Sequence, residues 1–387
     1  MKILVNAAPL LQPWTGIGQY IHNLFHAIEK LRTAELLMIL GPRIFNGYVI
    51  PNNTGASDAL WLRSLLLKTV PYPRATKRLI EEIIFNYTTK NHKHNSIYHE
   101  PSYLPFDFDG PLVLTVCDLS SFDHPETHPR ERVRLLEKHL PSAIERANHI
   151  LTISNDSKLA LQRWFGVPDY KITVTLLAAS SKFAPMKEVN LFSALSGFNL
   201  LPKSYVLTVG TLEPRKNLKT LFSAFGKLPK PLRQRYPLVI AGMKGWKYSD
   251  LLADAKTLLG DGELKILGYV ADSQMASLYS GASAFCYPSR YEGFGLPVIE
   301  AMASGVPVLT SNATSLPEIV GEAGLMVSPD DVDNMSNNLR LLLEDDSVAL
   351  KFSQLGLIQA KRFSWERCAR ETLGVYQRVW QNTLSIR

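Results

Sequence analysis

The sequence predicts an α/β protein built as two doubly wound domains that face each other across a cleft, and three observations predict it. The chain has 387 residues, more than one hydrophobic core usually serves, so two domains of about 150–200 residues each are expected. Short β-branched runs alternate with helical patterns, which implies parallel sheets covered on both faces. The alternation occurs in two sets. Between them, over residues 178–201, Ser, Pro and Gly are scattered and no strand is evident.

In the first half the predicted strands are Lys2–Ala7, Leu36–Leu40, Ile97–His99, Leu112–Cys117, His149–Ser154 and Ile172–Leu176, with helices over Gly18–Leu31, Arg130–Arg146 and Asp156–Phe165. In the second half they are Tyr205–Val209, Leu238–Ala241, Leu264–Leu267, Ala284–Tyr287, Val306–Thr310 and Gly324–Val327, again with helical segments between. This places a first domain over 1–185, a second over 200–364 and a terminal helix over 365–387 that caps its own domain or crosses back to the first. Ligands of such folds sit beyond the carboxyl ends of the strands, here in the cleft between the domains.

Composition narrows the function. The apolar fraction of 46% and charged fraction of 20% are those of an ordinary globular protein. The net charge of +7 suits phosphorylated substrates, anionic membranes or nucleic acid. No basic run with interleaved aromatics follows a nucleic-acid module, so nucleic acid is not expected as a partner. Cys117, Cys286 and Cys368 are too few and too far apart for a disulfide framework or a zinc site, and read as reduced thiols of a cytoplasmic protein. The apolar start Ile3–Leu11 is broken by Asn6 and Pro9 and reads as a buried strand rather than a signal peptide. No stretch reaches the roughly 18–20 apolar residues that span a bilayer.

The strongest local signal is Tyr291 to Gly305. Gly293 and Gly295 allow close backbone approach and positive φ. Pro297 suits the first turn of a helix, and Gly305 the position just past its end. A helix starting near Gly295–Leu296 would aim its free N–H groups into the cleft as an anion site. Glu292 before the helix and Glu300 within it are then placed to meet sugar or ribose hydroxyls; the bland alternative is a loop charge and an acidic surface residue. The second signal is Val209 to Leu218, where Arg215 and Lys216 open a helix. Cations there oppose the macrodipole, a cost that a bound diphosphate would reverse. The alternative is a solvated loop salt-bridged to Glu213. The third is Thr15-Gly16-Ile17-Gly18, a weak glycine turn able to approach a phosphate. His99 and Asp118 close first-domain strands, and Asp118 would face the cleft as a candidate catalytic group or a structural cap. No metal site is expected: Asp331-Val332-Asp333 reads as an acidic N-cap.

Together these residues resemble glycosyltransferase family 4, retaining enzymes with the GT-B fold, over most of the chain and most densely between Tyr205 and Val327. Glu292 and Glu300 match that family's pair of glutamates seven residues apart. The resemblance implies that Glu292 and the backbone of Phe294, Gly295 and Leu296 hold the transferred sugar. It further implies that Glu300 binds the nucleotide ribose, that Arg215 and Lys216 neutralise the donor diphosphate, and that Gly16 and Gly18 close over the phosphates. No cofactor or metal is then required. His99 joins the substrate-binding set, and Asp118 and Glu292 are the catalytic candidates. The tracts Thr115–Ser120 and His124–Pro129 resemble a mannosyltransferase subgroup that builds bacterial surface polysaccharides such as lipopolysaccharide O-antigen. Mannose from GDP-mannose, passed to a glycan or polyprenyl-linked acceptor, is the implied reaction. Where the family reads His-Asp, this chain reads Cys117-Asp118. Ser364-Trp365 resembles the start of the family's last helix, which crosses back to the first domain.

The segment Leu60–Tyr87 mixes apolar and basic residues. It suits peripheral contact with the inner face of the cytoplasmic membrane, and equally suits ordinary helices packed on the first domain. Two other function classes stay open at this point: another GT-B enzyme, such as a nucleotide-sugar epimerase, and a non-catalytic sugar-nucleotide scaffold.

Overall fold

The structure is a computed structural model that describes residues 1–11, 14–50, 73–93, 95–260 and 262–386. It contains two sheets. The first holds β1 (Lys2–Asn6), β2 (Glu35–Leu40), β3 (Arg43–Asn46), β4 (Ser96–Glu100), β5 (Leu112–Thr115), β6 (His149–Thr152) and β7 (Ile172–Val174), in the order β3-β2-β1-β4-β5-β6-β7. The second holds β8 (Val206–Val209), β9 (Leu238–Ala241), β10 (Leu264–Gly268), β11 (Ala284–Tyr287), β12 (Val308–Ser311) and β13 (Leu325–Val327), in the order β10-β9-β8-β11-β12-β13. Every strand pair is parallel except β2–β3. The central strands are buried along nearly their whole length, as sheets covered by helices on both faces require.

Strand β3 is absent from the sequence expectation. It is a half-exposed antiparallel edge strand that folds back on β2 through the turn at Gly41, with Leu40 opposite Arg43. Its polar ends, Arg43 and Asn46, hide it from a search for apolar runs.

In each sheet the strand order reverses once, between β1 and β4 and between β8 and β11. The crevices at these switch points face one another, and the loops that leave β1, β5, β8 and β11 supply the walls of a shared cleft. The connecting stretch carries a helix, Glu188–Ser196, whose Leu191 and Leu195 belong to the second domain's core with Phe183 and Leu200.

The last helix, Trp365–Ile386, belongs by packing to the first domain. Cys368, Ala369, Leu373, Val375, Tyr376 and Val379 are buried in the same apolar cluster as β1, β4, β5 and the first helix, Gly16–Leu31. Of the segment Leu60–Tyr87, residues 60–72 lie outside the described residues. From Pro73 to Thr89 the chain is a helix that exposes Leu79, Ile83 and Tyr87, which recur every fourth residue. Among the described residues no helix is long and apolar enough to cross a membrane.

Candidate active site in the cleft between the sheets

The cleft has a volume of about 850 Å³ and is lined from both domains. Its second-domain wall is built on two loops. The first leaves β8, passes Gly210 and forms a single 3₁₀ turn over Pro214–Lys216. Asn217 then takes the left-handed conformation and starts the helix Leu218–Gly226. Asn217 is held by its own amide, which donates to the carbonyls of Pro288 (3.1 Å) and Pro329 (2.6 Å). The pair Arg215 and Lys216 is thereby turned inward, not out to solvent as a basic surface loop would be.

The second loop leaves β11 and reaches the helix Leu296–Ala303, with Gly295 as its N-cap at φ +113°. That conformation favours glycine. Gly293 has no positive φ; its requirement is steric, because a Cβ there would lie 2.5 Å from the Cys117 carbonyl oxygen of the first domain.

These loops bring three sequence-expected residues into one cluster. Lys216 Nζ donates to Glu292 Oε1 at 2.7 Å and to the Tyr287 hydroxyl at 2.6 Å. Arg215 Nη1 lies 3.0 Å from Glu292 Oε2 and donates to the Tyr291 carbonyl at 2.5 Å, while Nη2 pairs with Glu213 at 2.8 Å. The pair with Glu213 exists, but the loop is not solvated: the Arg215 and Lys216 side chains are only 15% and 11% exposed. Burial alone would raise the Glu292 carboxyl, yet the Arg215 and Lys216 charges override it and hold it down to about 2. Burial also lowers Lys216, with the Arg215 charge adding to the effect.

Glu300 sits one turn into the helix, also lining the cleft, and accepts from the Tyr279 hydroxyl at 2.8 Å. Burial lifts its carboxyl to about 7. Phe294, Gly295 and Leu296 complete this wall.

Across the cleft, Asp118 follows β5. Its Oδ1 accepts from the Ser120 amide (2.9 Å) and hydroxyl (2.6 Å), and the buried His128 shares a 2.9 Å hydrogen bond with that hydroxyl. Burial pushes the Asp118 carboxyl up, but the Arg215 charge and the Ser120 donors leave it below its ordinary value. Gly16 lines the cleft. Gly18 does not: it is buried against Trp14, whose Cβ is 3.2 Å from where a Gly18 Cβ would stand.

His99 is a correction. It is fully buried at the end of β4, outside the cleft, with Nε2 2.7 Å from the Thr115 hydroxyl and Nδ1 2.6 Å from the hydroxyl of Tyr376 on the last helix. Burial lowers its ring to about 3, so it stays neutral. It ties the last helix to the first sheet. Asp331 is the N-cap of the helix Val332–Glu344 and accepts from the Asn334 amide at 3.0 Å.

Several residues of the cleft and of the seam between the domains went unread in the sequence. Tyr287 closes β11 and is legible as a site residue only once the loops are folded together; Glu213 was expected only as the salt-bridge partner of a solvated loop. Gln19 donates to Asp272 at 3.0 Å across the cleft, and Asp272 also pairs with Lys182. Asn155 donates through its amide and side chain to Glu318 at 2.9 and 2.7 Å. The Gln19–Asp272 and Asn155–Glu318 contacts join residues more than 160 positions apart, for which no local pattern exists.

The chain matches the family model for glycosyl transferases group 1 over residues 198–356. It is 38% identical to the O-antigen chain mannosyltransferase B of Escherichia coli over 381 residues, covering 97% of this chain and 100% of that protein. It is 31% identical to the O-antigen chain mannosyltransferase RfbU of Salmonella typhimurium, covering 85% and 87%. Its backbone superposes on the Anabaena protein HepE, solved in complex with UDP-glucose, with a TM-score of 0.72 and 16% identity over 100% of each chain. The two facing Rossmann-like sheets are those of the GT-B architecture, and the chain belongs to the group 1 glycosyltransferases.

Proposed function

We propose that the protein transfers mannose from a nucleotide-activated donor, GDP-mannose first among them, to a hydroxyl of a glycan or polyprenyl-linked glycan during assembly of a bacterial surface polysaccharide. The observation that carries this is the inward-turned, buried pair Arg215 and Lys216 on the cleft wall, beside the N-terminus of the helix Leu296–Ala303. Two cations beside a helix N-terminus suit a diphosphate leaving group. The sugar and its linkage to surface polysaccharide rest on the likeness to the O-antigen mannosyltransferases.

In this scheme the diphosphate seats on Arg215, Lys216 and the N-terminus of the helix Leu296–Ala303, with Gly16, at the start of the first helix, over it. Glu300 accepts from the ribose hydroxyls. Glu292 and the backbone of Phe294, Gly295 and Leu296 hold the mannose. The bond between the anomeric carbon and the phosphate oxygen breaks, and the acceptor oxygen attacks from the same face, so configuration is retained. The departing phosphate oxygen takes the acceptor's proton, and Asp118, held ionised by its neighbours, orients that hydroxyl. The fixed cations stabilise the developing charge in the role a metal would otherwise play; activity is expected to survive EDTA.

The helix Pro73–Thr89 supports an anionic membrane surface as a further partner. Leu79, Ile83 and Tyr87 are exposed along one face, and Lys90 lies over the Tyr87 ring. Sedimentation with phosphatidylglycerol vesicles, lost on replacing all three by Ser, tests it.

The function is tested by incubating the protein with GDP-mannose, UDP-glucose and a lipid-linked or free oligomannose acceptor, and assigning the anomeric product by NMR. Release of GDP with an α-linked mannoside is expected. Nucleotide binding without turnover of any donor would instead make the chain a non-catalytic sugar-nucleotide scaffold.

A further inference from the structure

The cluster at Arg215, Lys216 and Glu292 is already neutral. The two cations are matched by Glu213, paired to Arg215 at 2.8 Å, and by Glu292, whose two oxygens are divided between Lys216 (2.7 Å) and Arg215 (3.0 Å). A diphosphate brought to this cluster meets no net positive charge until a carboxylate withdraws. Both carboxylates line the cleft, but Glu213 touches only one of the cations, whereas Glu292 spans both. Moreover, the Glu292 main chain is clamped: its amide donates to the Thr314 hydroxyl at 3.0 Å, and its carbonyl accepts from Ser315 at 2.9 Å. Only its side chain is free to exchange, by rotation about its own bonds.

We infer that Glu292 is the resident counter-ion of this anion site, that the donor's diphosphate displaces it, and that the displaced carboxylate is then delivered to the transferred sugar. Donor binding and placement of Glu292 become one event. The same exchange run backwards helps expel the nucleoside diphosphate product, because the carboxylate returns to the cations as the product leaves. This rests on the proposal that a diphosphate sits on Arg215 and Lys216.

Isothermal titration with GDP and UDP, on wild type, Glu292→Gln and the double variant Arg215→Ala/Lys216→Ala, tests it. Glu292→Gln removes the competitor, so it is expected to bind nucleoside diphosphate about tenfold more tightly, while its kcat falls and product inhibition strengthens. Glu292→Asp, too short to span both cations, moves binding in the same direction and serves if Glu292→Gln does not fold. Weaker or unchanged nucleotide binding in these variants, with binding lost in the double variant, overturns the inference and makes Glu292 a fixed part of the anion cradle. Normal binding in the double variant overturns the diphosphate assignment itself, and the inference with it.

Discussion

Gly293 of the second domain rests on the Cys117 carbonyl of the first, so closely that a Cβ at 293 would stand 2.5 Å from that oxygen and 3.0 Å from Asp118 Cβ. Gly293→Ala is therefore expected to act on domain approach. The clash costs about 1–3 kcal/mol in the closed form. Turnover should fall by roughly one to two orders of magnitude while nucleotide affinity, which in the proposed scheme rests mainly on Arg215, Lys216 and Glu300 of the second domain, stays within about threefold. Steady-state kinetics paired with titration of GDP checks this; equal losses in both would place the defect within the donor site.

His99 and Tyr376 supply a prediction of the opposite kind. Tyr376→Phe leaves the fully buried Nδ1 of His99 without its 2.6 Å partner. A loss of about 1–3 kcal/mol in unfolding free energy is expected, with nucleotide affinity unchanged. A specific loss of donor binding in a stable Tyr376→Phe protein would return His99 to the substrate site.

The Glu300 carboxyl, lifted by burial from 4.5 to about 7, gives the binding of nucleotides a pH signature. Only the ionised form accepts from two ribose hydroxyls, so GDP affinity should rise as pH rises through about 7, and the slope should vanish in Glu300→Gln. The effect on the unliganded fold has the other sign. Between 4.5 and about 7 the folded state binds more protons at this group than the unfolded chain does, so this group's contribution to stability falls as pH rises over that window. A pH series of GDP titrations on both proteins decides it; a flat wild-type profile sinks the assignment of Glu300.

The resemblance read from the sequence expects histidine where Cys117 stands; in the structure burial pushes this thiol well above the ordinary value. It is a neutral thiol at physiological pH and no nucleophile. Its carbonyl, which accepts from Ser157 at 2.9 Å and meets Gly293, is what the site uses. Cys117→Ala should keep kcat within about threefold, and the native protein should resist iodoacetamide at pH 8. A collapse of turnover in Cys117→Ala would mean that the side chain itself meets substrate.

The sheets were largely readable in advance because, apart from the β2–β3 edge pair, both are parallel and covered, so most central strands are short apolar runs. Strand β3 failed that test for its edge position and polar ends. The grouping of candidate residues was readable where they lie close in sequence, as Glu292, Gly295 and Glu300 do across one loop and the helix that follows it, or Arg215 and Lys216. His99 was misplaced for a related reason. A histidine ending a strand at a switch point looks the same whether it faces ligand or core, and its partner Tyr376 lies 277 positions away. The joins that shape the cleft, such as Gln19 with Asp272, are set only by the docking of two separately built domains.

The last helix also fixes an order of events during synthesis. The first sheet is finished by residue 174, yet its core includes Tyr376 and Val379. At about 5–20 residues per second, a ribosome leaves that core uncovered for roughly 10–40 seconds while the second domain is made. The nascent first domain must therefore wait with an apolar groove open, a natural target for a chaperone, and a chain cut short near 364 would strand it there.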